Sequence, residues 1–134
     1  MKTFHLEIQT PQKKFYSDEV GYLQASGTDG LFGVLADHAP MVAALGFGVL
    51  LVRMPGGEEK FFCTGEGLFE VEQNRAYVLV DTVEFCEDVD AARAEAARDR
   101  AEKRLKEHPE NLDVERARAA LFRALTRLRI AGKS

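Results

Sequence analysis

The hydrophobic period of this chain changes once, near residue 86, from two to about 3.6. Strands bury every second residue and helices a stripe at every third or fourth, so the two stretches must form different layers. Before the change, Phe4, Leu6 and Ile8 alternate with His5, Glu7 and Gln9 until Thr10-Pro11 ends the run. Phe15 to Leu23, Phe47 to Met54, Lys60 to Thr64, Leu68 to Glu72 and Ala76 to Thr82 read as further short strands. Pro55-Gly56-Gly57 predicts a tight turn, because Pro presets the first dihedral and Gly accepts a positive φ; Gln73-Asn74 predicts a second. Short strands recurring without intervening helices predict an antiparallel β-sandwich or barrel over residues 1–86. After the change, Asp88 is placed to cap a helix running to about Glu107, with Asp90 inside its first turn and Ala94, Ala97, Ala101 and Leu105 as its apolar stripe. Pro109 breaks that helix, Asp113 caps a second, and Val114, Ala117, Leu121, Leu125 and Leu128 form the next stripe. The short connection predicts an antiparallel two-helix hairpin over residues 87–134 and an α+β class for the whole. Alanine-rich stripes bury little apolar area, so the hairpin is marginally stable by itself and able to detach.

Charge divides at the same place. Residues 1–86 carry 6 Lys and Arg against 12 Asp and Glu, whereas residues 87–134 carry 12 against 10, nine of the cations being Arg. The 46% hydrophobic and 30% charged composition is that of a globular protein rather than a disordered or membrane-spanning one. No apolar run approaches the ~18 residues that cross a bilayer, and no secretory leader is legible at the N-terminus, so a cytosolic chain is expected. Cys63 and Cys86 lack metal-type spacing and have aromatic neighbours, which predicts inert packing thiols.

No enzyme active site is legible. Three Ser and three His are scattered without a nucleophile motif: His5 falls at an outward strand position, His108 at a helix turn, and His38 in the loop Asp37-His38-Ala39-Pro40. Gly132-Lys133-Ser134 imitates the end of a phosphate-binding loop but lacks the preceding glycine and following helix. Gly65-Glu66-Gly67 is better explained as a bulge or a close strand crossing. The arginines are more informative. Asp90, Arg93, Ala97 and Arg100 recur at intervals of three and four, and Arg123 with Arg127 is an i, i+4 pair. A folded hairpin would collect four guanidinium groups and one carboxylate, either as a site for a polyphosphate or acidic surface or as a solvated face laced by Glu–Arg pairs; spacing alone leans to the second.

Three stretches resemble the epsilon subunit of bacterial F-type ATP synthases, the counterpart of the mitochondrial delta subunit. They are FHLEIQTPQKKFYSDEV near the N-terminus, GLFGVLADHAPMVAAL from Gly30 to Leu45, and DVDAARA from Asp88 to Ala94. The second is similar to the family pattern Gly-x-Leu-Gly-x-Leu-x-x-His-x-Pro-Leu, and the third to its ATP-recognition motif Ile/Leu-Asp-x-x-Arg-Ala. The resemblance implies a ten-stranded β-sandwich followed by a helical hairpin, in a non-catalytic rotor-stalk subunit peripheral to the cytoplasmic side of the bacterial cell membrane. It implies contacts with the gamma subunit and the c-subunit ring, and with the catalytic alpha/beta head when the hairpin is extended to obstruct hydrolysis. Direct membrane insertion is not expected. No obligatory cofactor is implied; ATP is the regulatory ligand, favouring the folded hairpin. The implied ATP residues are Glu84, Val89, Asp90, Arg93, Ala94, Arg100, Arg123 and Arg127, with Val89 replacing the usual Ile or Leu. The implied interface residues are His38, Pro40 and Met41 toward gamma and Leu31 with Phe32 toward the ring, Leu31 standing where many relatives carry an acidic residue.

Two other classes are distinguishable. A free-standing ATP-sensing module would leave the apolar segment Phe32 to Met41 without a partner. A nucleic-acid-binding β domain would carry basic and aromatic residues together, which the acidic β segment opposes.

Overall fold

The computed structural model describes residues 2–108 and 110–131; the expected break at Pro109 and the tripeptide Gly132-Lys133-Ser134 lie outside them. The chain divides into two compact units, Met1–Phe85 and Cys86–Ser134.

The first unit is a ten-stranded sheet: β1 (Phe4–Gln9), β2 (Lys14–Val20), β3 (Tyr22–Gly27), β4 (Gly30–Leu35), β5 (Met41–Leu45), β6 (Gly48–Arg53), β7 (Glu59–Thr64), β8 (Gly67–Glu72), β9 (Arg75–Val80) and β10 (Val83–Phe85). Neighbours run β10-β7-β6-β3-β5-β8-β9-β1-β2, with β4 paired to β3. All pairings are antiparallel except β1 with β9. Alternation works as expected on β1, where Phe4, Leu6 and Ile8 are fully buried.

The expected single strand from Phe15 to Leu23 is two strands. Val20 pairs with Phe4, but Tyr22 pairs with Leu35 and Arg53, so the chain changes neighbours at the buried Gly21, whose N–H donates to the Arg53 carbonyl (2.8 Å). The continuous apolar pattern across Val20, Tyr22 and Leu23 hides that change because both strands face the same core. Both expected turns form. Met54 N–H donates to the Glu58 carbonyl (2.7 Å) around Gly57 at φ 95°, and Gln73 and Asn74 both take positive φ (49° and 61°), as a two-residue hairpin requires. Asn74 also accepts the Asp37 N–H at Oδ1 (2.8 Å) and donates from Nδ2 to the Thr3 carbonyl (2.8 Å), tying three segments together. The close crossing expected near Gly65-Glu66-Gly67 is real: a Cβ at Gly67 would lie 1.9 Å from the Leu79 carbonyl oxygen.

Opposite ends of the sheet meet through aromatic rings. Phe62 of β7 packs against Phe85 of β10 (5.0 Å between centroids) and Tyr16 (5.1 Å) and Phe15 (6.3 Å) of β2, and Phe15 meets Phe85 at 5.2 Å. Burial, and next the Asp18 carboxylate, push the Tyr16 phenol up to about 12. The neutral phenol is therefore the packed form. Its contribution to stability is complete below the ordinary tyrosine value of 10.0 and is lost as pH rises through about 12.

The second unit contains a short 3-10 turn (Cys86–Asp88), α1 (Ala91–Glu107) and α2 (Val114–Ala131). No helix among the described residues is long and apolar enough to cross a membrane. Because Phe62 is fully buried at the meeting of the sheet's ends, Phe62→Ala is expected to destabilise the first unit by ~3–5 kcal/mol, measured by urea unfolding.

Candidate functional site

The stretch from Val89 to Ala94 is first of all a helix start. Asp90, at φ −79° and ψ 106°, caps α1: its Oδ1 accepts the backbone N–H of Arg93 (3.1 Å). This corrects the expectation that Asp88 caps and Asp90 sits inside the first turn; Asp88 belongs to the 3-10 turn, closed by Val89 N–H donating to the Cys86 carbonyl (3.2 Å). Either aspartate is chemically able to cap. The choice falls to Asp90 because it places Val89 just before the cap and Ala94 in the second turn, the two positions of a hydrophobic staple, and both are buried. Capping engages one carboxylate oxygen, while an ionised carboxylate has acceptor capacity on both.

The second helix begins similarly, with Asp113 Oδ1 accepting the Arg116 N–H (3.0 Å). Its buried residues are Ala117, Ala124, Thr126 and Ile130, while Leu125 is 46% exposed. The expected stripe is therefore corrected at that position: a period of 3.6 permits 124 or 125 after 121, and the small residue is taken. Small side chains at a seam with Ala94 and Ala101 of α1 let two helices approach closely. Thr126 is buried without penalty because its hydroxyl donates to the Phe122 carbonyl (2.8 Å).

The arginines extend along the hairpin further than expected. Arg93, Ala97, Arg100 and Arg104 recur at helical spacing on α1, and Arg116, Ala120, Arg123 and Arg127 on α2. A groove of about 740 Å3 between the last turns of α1 and the first of α2 is lined by Arg100, Arg104, Arg116 and Arg123, with Glu110 and Asp113 at the turn. Arg100 and Arg123 are thus brought together in this groove, whose lining does not include Arg93 or Arg127. Arg104 and Arg116 were missed by sequence reasoning, although the same three-four spacing reaches them. Glu84 lies on β10 of the first unit, half-buried and paired with Cys63.

The interface candidates also divide. Gly30 to Leu35 forms strand β4, hairpinned to β3 through Thr28-Asp29. Strand alternation sends Leu31 and Phe32 to opposite sides: Leu31 is 68% exposed, whereas Phe32 packs against Phe69 of the core (5.2 Å). Met41 also packs on the core. Pro40 is exposed, and the half-buried His38 has Nδ1 2.7 Å from the Ala39 carbonyl. Sequence reasoning missed the outward apolar residues Leu35 of β4, Val42 of β5 (69% exposed), Leu68 of β8 and Leu79 of β9. Ala44, Leu68 and Leu79 are consecutive cross-strand partners, with Val42 two residues along the same face.

One polar cluster appears where none was expected. Ser17 Oγ lies 3.1 Å from His5 Nε2, with Glu7 and Glu19 each 3.4 Å from a ring nitrogen. These residues are cross-strand neighbours on β1 and β2. On an outward strand surface with Ser17 exposed, nothing excludes water, and the cluster acts as a polar clamp between strands.

The comparisons with known proteins cover both units. Residues 3–86 match the family model for the ATP synthase delta/epsilon chain β-sandwich domain, and residues 87–132 that for its long α-helix domain. The ATP synthase epsilon chain of Pelotomaculum thermopropionicum is 48% identical over 98% of both chains. That of Nitratidesulfovibrio vulgaris strain DP4 is 44% identical over 99% of this chain and 98% of its own. Among solved structures, a chain of the Euglena gracilis mitochondrial ATP synthase OSCP/F1/c-ring structure aligns over 98% of this chain and 82% of its own, with a TM-score of 0.84 at 19% identity. A chain of the Tetrahymena thermophila mitochondrial ATP synthase central stalk and c-ring aligns over 98% of this chain and 96% of its own, with a TM-score of 0.64 at 16% identity. At those identities the likeness is one of fold.

Removing the Asp90 cap by Asp90→Ala is expected to destabilise α1 by ~1 kcal/mol, read as faster amide exchange at Arg93, whereas Asp88→Ala leaves that exchange unchanged.

Proposed function

The chain belongs to the delta/epsilon family of ATP synthase subunits, and from that premise we propose that it is a non-catalytic rotor-stalk subunit whose β unit docks on gamma and the c-subunit ring, and whose hairpin takes ATP as a regulatory ligand. The observation that carries the docking part is the set of outward apolar residues on the β unit: Leu31, Leu35, Val42, Leu68 and Leu79. Singly such residues are ordinary, but Val42 beside the row Ala44, Leu68 and Leu79 makes a contiguous apolar surface of the kind that partners cover. It favours a stalk subunit over a free-standing ATP-sensing module. We assign His38 and Pro40 to the gamma side and Leu31 to the ring side, as the family resemblance suggests, with apolar packing at Leu31 in place of a polar contact; Val42 and Leu68 are added to the gamma side because Val42, on β5, lies two residues beyond Pro40 and shares an exposed face with Leu68. The complex then places the chain peripherally on the membrane.

The regulatory part rests on the cap and the arginine face. Asp90 presents a carboxylate at the start of α1, where its second oxygen accepts from the adenine or ribose side of the nucleotide, and Arg93, Arg100, Arg123 and Arg127 pair with the phosphates. Val89 and Ala94 hold the cap in place. A ligand shifts an equilibrium only by binding one conformation better, so ATP on arginines from both helices favours the folded hairpin over one extended toward the catalytic alpha/beta head, where it obstructs hydrolysis. The alanine seam suits such a switch because little apolar area is lost on opening.

Two measurements test these parts separately. Val42→Asp is expected to abolish co-purification with gamma while leaving the isolated chain folded by circular dichroism; retained co-purification sinks the placement. In calorimetric titration with ATP, Arg93→Gln and Arg127→Gln are each expected to weaken binding by ~1.5–3 kcal/mol, the usual worth of a hydrogen bond to a charged group, with Arg118→Gln as the unaffected control. Absence of ATP binding by the unmodified chain at millimolar concentration removes the regulatory reading and leaves the docking reading intact.

A further inference from the structure

Asn74 ends the turn between β8 and β9 and ties two other segments of the β unit to it. Its carbonyl accepts the His5 N–H (3.1 Å), its Oδ1 accepts the Asp37 N–H (2.8 Å), and its Nδ2 donates to the Thr3 carbonyl (2.8 Å). The two side-chain partners fix which end of the amide is which, since the reverse orientation sets NH2 against N–H and oxygen against carbonyl. Asp37 belongs to residues 36–40, the segment between β4 and β5 that carries His38 and Pro40. From Ala36 to Ala39, among the described residues, the polar ties to the rest of the unit are the Asp37 N–H bond and the Lys2–Asp37 ion pair (3.3 Å). That ion pair is exposed on both sides and holds little. Asp37 nevertheless takes φ 62°, a left-handed conformation that persists in a residue other than glycine where the surroundings fix it. A two-residue hairpin turn takes glycine most readily at its second position. The chain has Asn74 there instead, at φ 61°, and the bonds of its amide account for the choice.

We infer that Asn74 is a positioning residue for the gamma interface: it latches the segment carrying His38 and Pro40 to the β8–β9 turn and the start of β1, and so presets the shape that gamma meets. The inference rests on the assignment of His38 and Pro40 to the gamma side. A free segment samples many conformations that binding must remove, whereas one already held has less freedom to lose. His38 is constrained from both directions. Pro40 restricts Ala39, the residue before it, to extended conformations, and the Asn74 bond fixes Asp37 on the other side. Only an amide serves at position 74. Aspartate there accepts the Asp37 N–H but turns a carboxylate oxygen toward the Thr3 carbonyl, and glycine suits the turn but releases the segment.

The test uses the full chain and purified gamma, with amide exchange by NMR reading the latch and calorimetric titration reading its consequence. Asn74→Gly is expected to speed exchange at the Asp37 amide and to weaken gamma binding about three- to tenfold, the usual worth of one hydrogen bond, with strand content unchanged by circular dichroism. Lys2→Ala, which removes only the exposed ion pair, leaves both readings unchanged. The double variant His38→Ala with Pro40→Ala also weakens gamma binding, and adding Asn74→Gly to it weakens binding no further, because a positioning residue acts through the segment it positions. A residue that merely stabilises the sheet adds its loss in full, and that additivity overturns the inference. Unchanged exchange at Asp37 in Asn74→Gly overturns the latch whatever gamma binds. If exchange quickens but the His38→Ala, Pro40→Ala variant binds gamma as the unmodified chain does, the gamma-side assignment of the segment fails while the latch stands.

Discussion

The β unit depends on the meeting of Phe15, Tyr16, Phe62 and Phe85, because hydrogen bonding alone leaves β2 and β10 at opposite ends of the strand order. The rings join those ends by packing, with centroids 5.0 to 6.3 Å apart and Phe62 fully buried in the middle. With the ends joined, every strand has one face inward, and the opposite faces become outward by alternation. The outward positions of Leu31, Val42, Leu68 and Leu79 follow from this arrangement. Their apolar character is then a property of the surface rather than a defect of the core. Three glycines, at positions 21, 48 and 67, stand where the chain changes neighbours or passes close to another segment; Gly48, for instance, leaves no room between itself and the Ser26 side chain.

The hairpin is built on a different economy. Its seam consists largely of alanines, so the helices approach closely but exclude little apolar surface, and the pairing is close without being strongly held. The charged face places arginines of both helices, like charges, along one side of the hairpin. An anion bridging the two helices offsets the repulsion between like charges. A ligand that bridges the two helices is therefore able to bias such a hairpin toward closure.

Much of this was legible in the residues. The switch of period near residue 86, the turns at Pro55-Gly56-Gly57 and Gln73-Asn74, the close crossing at Gly67 and the cap at Asp113 each depend on local chemistry that any context preserves. Other features were not. Nothing local distinguishes Asp88 from Asp90 as a cap; the burial of Val89 and Ala94 decides it. The 3.6 period cannot choose between Ala124 and Leu125, and hydrophobicity alone prefers the leucine; close helix packing takes the alanine. Leu31 and Phe32 look equivalent as an apolar pair until β4 is recognised as a strand, when alternation separates them.

The sequence by itself determined the two layers, their boundary and the presence of a basic helical face, because hydrophobic period, turn chemistry and charge are properties of neighbouring residues. Only the tertiary structure decided which residues share a surface. Arg104 and Arg116 join Arg100 and Arg123 because two helices lie side by side, and Val42 joins Leu68 and Leu79 because β5, β8 and β9 pair in one register. Those adjacencies are between residues distant in the chain. They are set by packing against a common core or seam, which no local pattern encodes.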